Sequence, residues 1–373
     1  MVDGVMRILY VITKADEIGG AQVHVRDLST KIKNDGHDVL VVTGEYGALT
    51  DQLKSLDIQF KVVPSIVRDI KLLLDIKSII KLILITLDFK PDLIGLHSSK
   101  AGILGRISSL FTRTPVVFTA HGWAFADGVS EKKKKFYIKI EKLFSRFANK
   151  IITVSQQDKD LAVKLGVACN DKQVVIHNGV NANTSSFPNN IVAKDGSKPI
   201  EMIMVARFSE QKDHETLLDA LAKIKDYNWN LSLVGKGPKL EFIKNLTADL
   251  GLNDRVSFLG QRDDVDSLLR KSDLFLLISN WEGYPLSILE AMREGLPIIA
   301  SDVGGVKEAV QDNRNGYLIP YKNSTILANR MVSMINDSQS RLDFIENNKT
   351  DFLERHTTER MYEKTMNLYV SLL

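Results

Sequence analysis

The 373-residue sequence holds one cysteine, Cys169. No intramolecular disulfide or cysteine-based zinc site can form within the chain, which points to a reducing compartment. A long apolar run is also missing. The greasiest stretch, Ile70 to Leu87, is interrupted by Lys71, Asp75, Lys77 and Lys81, whereas a membrane span needs about 20 predominantly apolar residues. A helix with one buried face is expected there instead. Near the start, the apolar run Ile8 to Ile12 is shorter than the ~7 residues of a secretory h-region, so no signal peptide is expected. Compositional bias is absent too: 44% hydrophobic and 25% charged residues are ordinary for a soluble globular chain. At roughly 150 residues per domain, two full-sized domains are expected. Net charge is only +3, and no nucleic-acid partner is expected.

That small net charge is unevenly spread. Residues 1–185 carry +7 and residues 186–373 carry −4. Glu131 to Lys150 alone holds eight basic residues against two acidic ones. The pattern predicts a basic surface helix on which Lys132, Lys135, Lys139, Lys142, Arg146 and Lys150 recur every three or four residues while Phe136, Ile140, Leu143, Phe144 and Phe147 fill other positions.

Short runs rich in Val, Ile and Leu alternate with helical patterns along both halves, the sequence form of parallel sheets with crossover helices. Strands are expected at Arg7–Thr13, Asp38–Thr43, Gln59–Val63, Leu93–Leu96, Val116–Ala120 and Lys150–Val154, with helices between them, including Gly20–Asn34 and Arg68–Leu87. The polar, Asn- and Ser-rich stretch 182–198 reads as a linker. A second series runs from Pro199–Ala206 to Ile298–Ser301, and Thr357–Leu373 reads as a closing helix. The expected domains are therefore 1–181, 199–356 and a helix over 357–373. A ligand of such a pair is expected between the domains, at the carboxyl ends of the strands.

Several residues at those strand ends suit an anionic ligand. Gly19-Gly20 follows the first strand and opens a helix, whose free N–H groups attract anions. Arg207 and Lys212 follow the first strand of the second half, placed to neutralise a diphosphate. The buried strand Leu274–Ile278 delivers Glu282-Gly283-Tyr284-Pro285-Leu286, with Pro285 suited to the first position of a helix and Glu290 on that helix's second turn. N–H groups for a diphosphate and carboxylates for hydroxyls have the layout of a nucleotide-sugar site. By contrast, Gly235-Lys236-Gly237 has Leu240 in place of the third glycine of a dinucleotide fingerprint, so a nicotinamide enzyme is poorly supported. Asp158-Lys159-Asp160 and Asp264-Val265-Asp266 fall at helix starts, where acidic residues favour the dipole, and no metal site is expected there.

On these residues the sequence resembles the GT-B glycosyltransferases, in particular the large retaining group called family 4. The glutamate-x7-glutamate pattern, Glu282 to Glu290, continues into Ala291-Met292-Arg293-Glu294-Gly295-Leu296-Pro297. His121-Gly122, Ile176-His177-Asn178-Gly179-Val180 and Ser301-Asp302-Val303-Gly304-Gly305 match in order along almost the whole chain. The resemblance implies an α/β fold of two Rossmann-like domains facing a cleft, an acceptor domain followed by a donor domain, with the last helix crossing back toward the first. It implies that Arg207 and Lys212 bind the donor diphosphate, that Glu282 binds the sugar hydroxyls, and that Glu290 binds the ribose. Gly283, Tyr284, Pro285 and Leu286 would complete the donor site, Gly19 and Gly20 would face the phosphates, His121 would lie near the transferred sugar, and Arg262 would meet the base.

The implied chemistry is a front-face displacement with retention that needs no metal and no cofactor beyond the nucleotide sugar, expected to be a UDP-sugar. Arg207, Lys212 and the helix N-terminus would stabilise the leaving diphosphate. The opening stretch Val11 to Val25 looks most like capsule and surface-polysaccharide transferases of the CapM kind, which act on polyprenyl-diphosphate-linked glycans. An anionic membrane surface contacted by Lys132, Lys133, Lys134, Lys135 and Lys139, and a cytoplasmic, peripheral location on the inner face of the cell membrane, are the matching expectations. Two alternatives stay open: a nucleotide-sugar 2-epimerase on the same fold, and a non-catalytic sugar-nucleotide-binding subunit.

Overall fold

Strands such as Ile8–Ile12 and Leu274–Ile278 are apolar at nearly every position because helices cover both faces of a parallel sheet, leaving no solvent-facing alternation. In the computed structural model, residues 4–126, 128–182 and 198–373 are described. Most of the expected linker, 183–197, lies outside them. The chain divides into two compact units, Met1–Asn181 together with Thr358–Leu373, and Ala182–Thr357.

The first unit runs β1 (Arg7–Ile12), α1 (Gly20–Asn34), β2 (Asp38–Thr43), α2 (Ala48–Ser55), β3 (Gln59–Val62), α3 (Leu72–Phe89), β4 (Leu93–His97), α4 (Ser99–Thr112), β5 (Val116–Ala120), α5 (Glu131–Phe144), β6 (Lys150–Thr153), α6 (Gln156–Lys164) and β7 (Gln173–Val175). Its seven strands are parallel in the order β3-β2-β1-β4-β5-β6-β7. The order reverses between β1 and β4. That switch point opens a crevice at the strands' carboxyl ends.

The second unit runs β8 (Ile200–Val205), α7 (His214–Ala222), β9 (Trp229–Val234), α8 (Leu240–Asp249), β10 (Val256–Gly260), α9 (Val265–Arg270), β11 (Leu274–Leu277), α10 (Leu286–Arg293), β12 (Ile298–Ser301), α11 (Val306–Ala309), β13 (Gly316–Ile319), α12 (Ser324–Asn336) and α13 (Ser338–Arg355). Its six parallel strands lie in the order β10-β9-β8-β11-β12-β13, so its switch point falls between β8 and β11. β13, α12 and α13 carry no motif in the sequence, and neither does β7 of the first unit, so none of these four was expected from it.

The final helix, α14 (Thr358–Val370), belongs to the first unit. Met361, Tyr362, Met366 and Tyr369 join Val25, Leu28 and Ile32 of α1 in the core on one face of its sheet. The Tyr369 hydroxyl lies 3.3 Å from that of Tyr10 on β1. Tyr10 is accommodated because its register partner on β4 is Gly95, where a Cβ would lie 2.4 Å from the ring.

Helices α3, α4, α5 and α6 cover the opposite face, contributing Leu82, Ile85, Leu104, Ile138 and Ala162 to a second core. α5 is anchored by Glu141, fully buried against Arg106 of α4 at 2.9 Å. Arg106 also lies over the Phe118 ring at 4.6 Å and the Phe144 ring at 5.9 Å. The lysines of α5 accordingly face outward: Lys132, Lys133, Lys135 and Lys139 are exposed and Lys134 is half-buried.

The Ile70–Leu87 stretch forms the expected helix with one buried face, which places Leu82 and Ile85 in the core. It starts at Leu72, and Leu72, Leu73, Ile76, Ile80, Leu84 and Leu87 on its other side are exposed. The inner face is partly polar as well. Lys100 Nζ donates to Asp75 Oδ2 at 2.6 Å, and Ser78 Oγ donates to Ser65 Oγ at 2.9 Å. A second, smaller difference is that α10 begins at Leu286, with Pro285 as its N-cap.

Candidate active site

At the second unit's switch point, two loops are zipped together. The chain leaving β8 continues to pair, Ala206 N–H to Val234 C=O at 2.9 Å and Phe208 N–H to Lys236 C=O at 3.1 Å. Buried Phe208 stacks on His214 at 4.4 Å, which pins the segment and leaves Arg207 exposed at the sheet edge. Burial lowers the His214 pKa to about 4. Gly235 and Gly237 now have a structural role. A Cβ on either would lie 2.1 Å from the Ala206 carbonyl oxygen or 2.2 Å from that of Phe208, so the two glycines admit this neighbouring backbone.

Lys212 pairs with Ser279 in an antiparallel bridge, and Asn280 N–H donates to Gln211 C=O at 2.7 Å. The loop after β8 is thereby fastened to the loop after β11. Their side chains converge on Glu282, nearly buried: Lys212 Nζ donates to its Oε1, Ser279 Oγ to Oε1 at 2.6 Å, and Gln211 Nε2 to Oε2 at 3.2 Å. A buried carboxylate held by three donors is preorganised rather than free to reorient. Behind it, Gly304 adopts φ +56°, and a Cβ there would lie 1.9 Å from the Glu282 carbonyl oxygen. Gly305 N–H closes the contact on Gly283 C=O at 2.9 Å.

The turn 282–285 feeds straight into α10, whose first-turn N–H groups have no intrahelical acceptor and form an anion-binding end. Gly283 sits in that turn, Leu286 opens the helix, and Glu290 is half-buried on its second turn. The Tyr284 ring is buried, its hydroxyl 3.1 Å from His356 Nδ1, and burial raises its pKa. Its side chain therefore serves the unit's interior, leaving its backbone for a ligand. Arg262 is exposed and grips Asp264 of its own loop through two hydrogen bonds of 2.7 and 2.8 Å. Asp264 and Asp266 do lie at the start of α9, and Asp158 in the first turn of α6, as helix-start acids.

The first unit's switch point is built differently. Gly19 is the N-cap of α1, held by Gln22, whose Oε1 accepts from Gly19 N–H at 3.2 Å. Its φ of −125° is one any residue adopts, so glycine at 19 keeps the exposed turn bare rather than relieving strain. Gly20 opens the helix beside it. One turn further, His24 is buried, and it meets His97 at the end of β4 and His121 just after β5. A ligand atom from each of the three lies within 4.8 Å of the others. His97 Nδ1 is 3.1 Å from His121 Nε2, and His24 Nδ1 is 3.2 Å from Asn178 Oδ1. An amide oxygen only accepts, so Asn178 holds the proton of His24 on Nδ1 and leaves Nε2 as a bare lone pair.

Burial depresses all three imidazoles: His24 to about 4, and His97 and His121 well below their usual value, helped by neighbouring rings. They are neutral at physiological pH. His24 Nε2, His97 Nε2 and His121 Nδ1 are buried without a hydrogen-bond partner. Such a group offers hydrogen bonds to ligand hydroxyls, and its donor set could also hold a borderline-soft divalent ion. Next to it Ser98 adopts φ +147° and ψ 154°, a region otherwise nearly restricted to glycine, and Thr13 Oγ1 reaches Ser98 Oγ across the switch point at 2.8 Å. Backbone strain of this kind concentrates at working sites.

Sequence reasoning named His121 alone of this trio and omitted Gln211 and Ser279. The available signal was position: His97 directly follows a predicted strand, and Ser279 and Gln211 flank the named Glu282 and Lys212 at the strand ends.

Two Rossmann-like parallel sheets, one carrying a carboxylate caged by donors beside a helix N-terminus, define the GT-B class of glycosyltransferases. Residues 18–184 match the family model described as Glycosyltransferase Family 4, and residues 189–351 match that described as Glycosyl transferases group 1. An Escherichia coli enzyme, UDP-Gal:alpha-D-GlcNAc-diphosphoundecaprenol alpha-1,3-galactosyltransferase, is 30% identical over 355 residues, covering 92% of this chain and 91% of that protein. The E. coli O-antigen biosynthesis glycosyltransferase WbnH is 29% identical over 305 residues, 82% of this chain and 83% of that one. HepE of Anabaena, solved in complex with UDP, superposes with a TM-score of 0.83 at 25% identity, covering 98% of this chain and all of that one. The chain belongs to the group 1 glycosyltransferases.

Proposed function

We propose that this glycosyltransferase moves a hexosyl or N-acetylhexosaminyl group from a UDP-sugar, with retention and without a metal, onto a hydroxyl of a polyprenyl-diphosphate-linked glycan in bacterial surface or capsule polysaccharide synthesis. The observation that carries the reading is the cage around Glu282. Lys212, Ser279 and Gln211 hold its carboxylate beside the N-terminus of α10, within a loop pair that also carries Arg207. In this reading Arg207, Lys212 and the helix end stabilise charge on the departing diphosphate. Glu282 and His121 receive sugar hydroxyls, Glu290 the ribose and Arg262 the base. Fixed cations in place of a divalent ion make the reaction independent of metal.

The acceptor is inferred from the E. coli relative, a galactosyltransferase named for its diphosphoundecaprenol-linked substrate, and the donor from that relative and from the UDP held by HepE. Among the described residues no helix is long and apolar enough to cross a membrane. We therefore place the enzyme peripherally on the inner face of the cell membrane, with the outward lysines of α5 against anionic headgroups.

The test is a transfer assay with radiolabelled UDP-sugars and a synthetic sugar-diphosphate-lipid, with and without EDTA, and with the anomeric configuration of the product read by NMR. A product of the donor's own configuration, formed equally in EDTA, is expected. An inverted product, or activity restored only by Mn²⁺ or Mg²⁺, would overturn the mechanism. Turnover of donor alone to an epimer would replace the reaction class.

A further inference from the structure

A sugar hydroxyl is met by one imidazole, yet the first unit gathers three within reach of one another. Taking a ring nitrogen out of water without a partner costs free energy, and His24 Nε2, His97 Nε2 and His121 Nδ1 are all in that state. The rings come from three elements: His24 from α1, His97 from the last position of β4, and His121 from the residue after β5. β4 and β5 are parallel neighbours with Leu96 opposite Phe118, so their ends present the two rings side by side. Ring centroids lie 4.7 Å apart for His24 and His121, 5.3 Å for His24 and His97, and 5.4 Å for His97 and His121, a nearly regular triangle. The Tyr10 ring packs perpendicular to His97 at 4.8 Å and holds it in place.

These distances suit a metal ion. Two imidazole nitrogens at about 2.0–2.1 Å from a tetrahedral zinc ion stand about 3.3 Å apart, and His97 Nδ1 already lies 3.1 Å from His121 Nε2. On His24 the proton is drawn to Nδ1 by Asn178 Oδ1 at 3.2 Å, which leaves Nε2 as the donor. An oxygen behind the ring is the usual support of a ligating histidine. All three rings are neutral at physiological pH, so no proton competes with an ion for their lone pairs. The donors are nitrogen alone, with no carboxylate or thiol in the group among the described residues. Such a set selects zinc, copper, nickel or cobalt over magnesium and manganese. His24 and His97 are buried while His121 is half-buried, so the group opens to solvent at His121 and leaves a fourth position to water.

We propose that His24, His97 and His121 bind one Zn²⁺ ion, and that the bound ion occupies the place where His121 receives a sugar hydroxyl. Binding breaks the contact between His97 Nδ1 and His121 Nε2. The proton shared there moves to the outer nitrogen of the ring that carries it, His97 Nε2 or His121 Nδ1, both of which are without a partner. The ion is a brake and not a catalyst: transfer proceeds without metal, and His121 offers no lone pair to substrate while zinc holds it. The site stands on the geometry of the three rings, and the blocking role rests on the reading of His121 given above.

The full chain without an affinity tag, stripped with EDTA and dialysed, tests this. Titration of Zn²⁺ against a chromophoric chelator is expected to show one ion bound per chain, with no competition from Mg²⁺. Co²⁺ is expected to give the visible absorption of a four-coordinate ion, and Zn²⁺ to bleach it. His97→Ala is expected to abolish both signals with an unchanged circular-dichroism spectrum. Because loss of a buried ring can disturb the fold, Asn178 supplies a second pair of variants. Asn178→Ala keeps all three rings and is expected to bind Zn²⁺ about tenfold more weakly, and Asn178→Asp, which keeps an accepting oxygen, to recover most of the affinity. His37→Ala, altering a histidine that accepts from Met6 N–H ahead of β2, is expected to bind as the wild type does. Added Zn²⁺ is expected to inhibit sugar transfer by the wild type, and EDTA to restore it. Absence of Zn²⁺ binding by the wild type, or equal affinity in His97→Ala, would overturn the site. Full affinity in Asn178→Ala would remove His24 from the ligands. Binding with undiminished transfer keeps the site and overturns the blocking role alone. Binding by a protein that transfers no sugar under any condition keeps the site and overturns the transfer reading.

Discussion

The two switch points occupy equivalent places in sheets of the same topology, yet one is ionic and the other neutral. In the second unit, Arg207, Lys212 and Glu282 concentrate full charges beside the N-terminus of α10. In the first, His24 and His97 are buried, His121 is half-buried, and all three are uncharged, meeting one another and Asn178. Topology decides where a ligand can lie in each sheet, and the side chains at that place decide which chemistry it meets. The ionic edge suits a diphosphate and the neutral edge suits hydroxyls.

Acid sharpens this contrast most strongly. An unfolded histidine takes up a proton below pH about 6.5, while burial keeps folded His24 neutral to about 4 and holds His97 and His121 well below the ordinary imidazole value. Their contribution is therefore complete above the unfolded pKa and is lost as pH falls through the window below it. Between pH about 6.5 and 5 each such group costs its unit stability, so the first unit, with three, loses more than the second, where His214 is the counterpart. Chemical denaturation followed unit by unit between pH 7 and 5 should show the first unit losing stability more steeply. Parallel losses would break the comparison.

The next effect is on turnover. Arg207→Ala or Lys212→Ala is expected to lower it on the order of 10²-fold, the scale of losing one preorganised donor to developing charge. Folding should be little changed. Activity within a factor of two of the wild type at saturating donor would remove the diphosphate role. Smaller again is His121→Ala, where loss of one neutral hydrogen bond, about 1.4 kcal/mol, predicts roughly tenfold. A loss as large as that of Lys212→Ala, measured as kcat with the same donor, would mean that the first unit's edge also meets developing charge.

Local pattern was enough for much of the fold. The strand β2, the strand β5 and the helix α1 occupy the residues expected from their apolar runs and the glycine turn. The position of Arg207, Lys212, Glu282 and Glu290 at strand ends and a helix start was likewise legible, because such a junction announces where a parallel sheet presents polar groups. Elements without such punctuation, β13 and α12 among them, were not.

What the amino-acid order determined alone is the alternation of buried strands and crossover helices, and hence two parallel sheets with polar residues gathered at their carboxyl edges. Periodicity carries that information within a dozen residues. Only the tertiary structure decided which partners those residues meet. It closed Lys212, Ser279 and Gln211 around Glu282, brought His24 and His97 to His121 from different elements, and left one of the two aliphatic faces of α3 exposed. Each depends on contacts between segments far apart in the chain, and spacing along a sequence does not encode the direction from which a distant neighbour arrives.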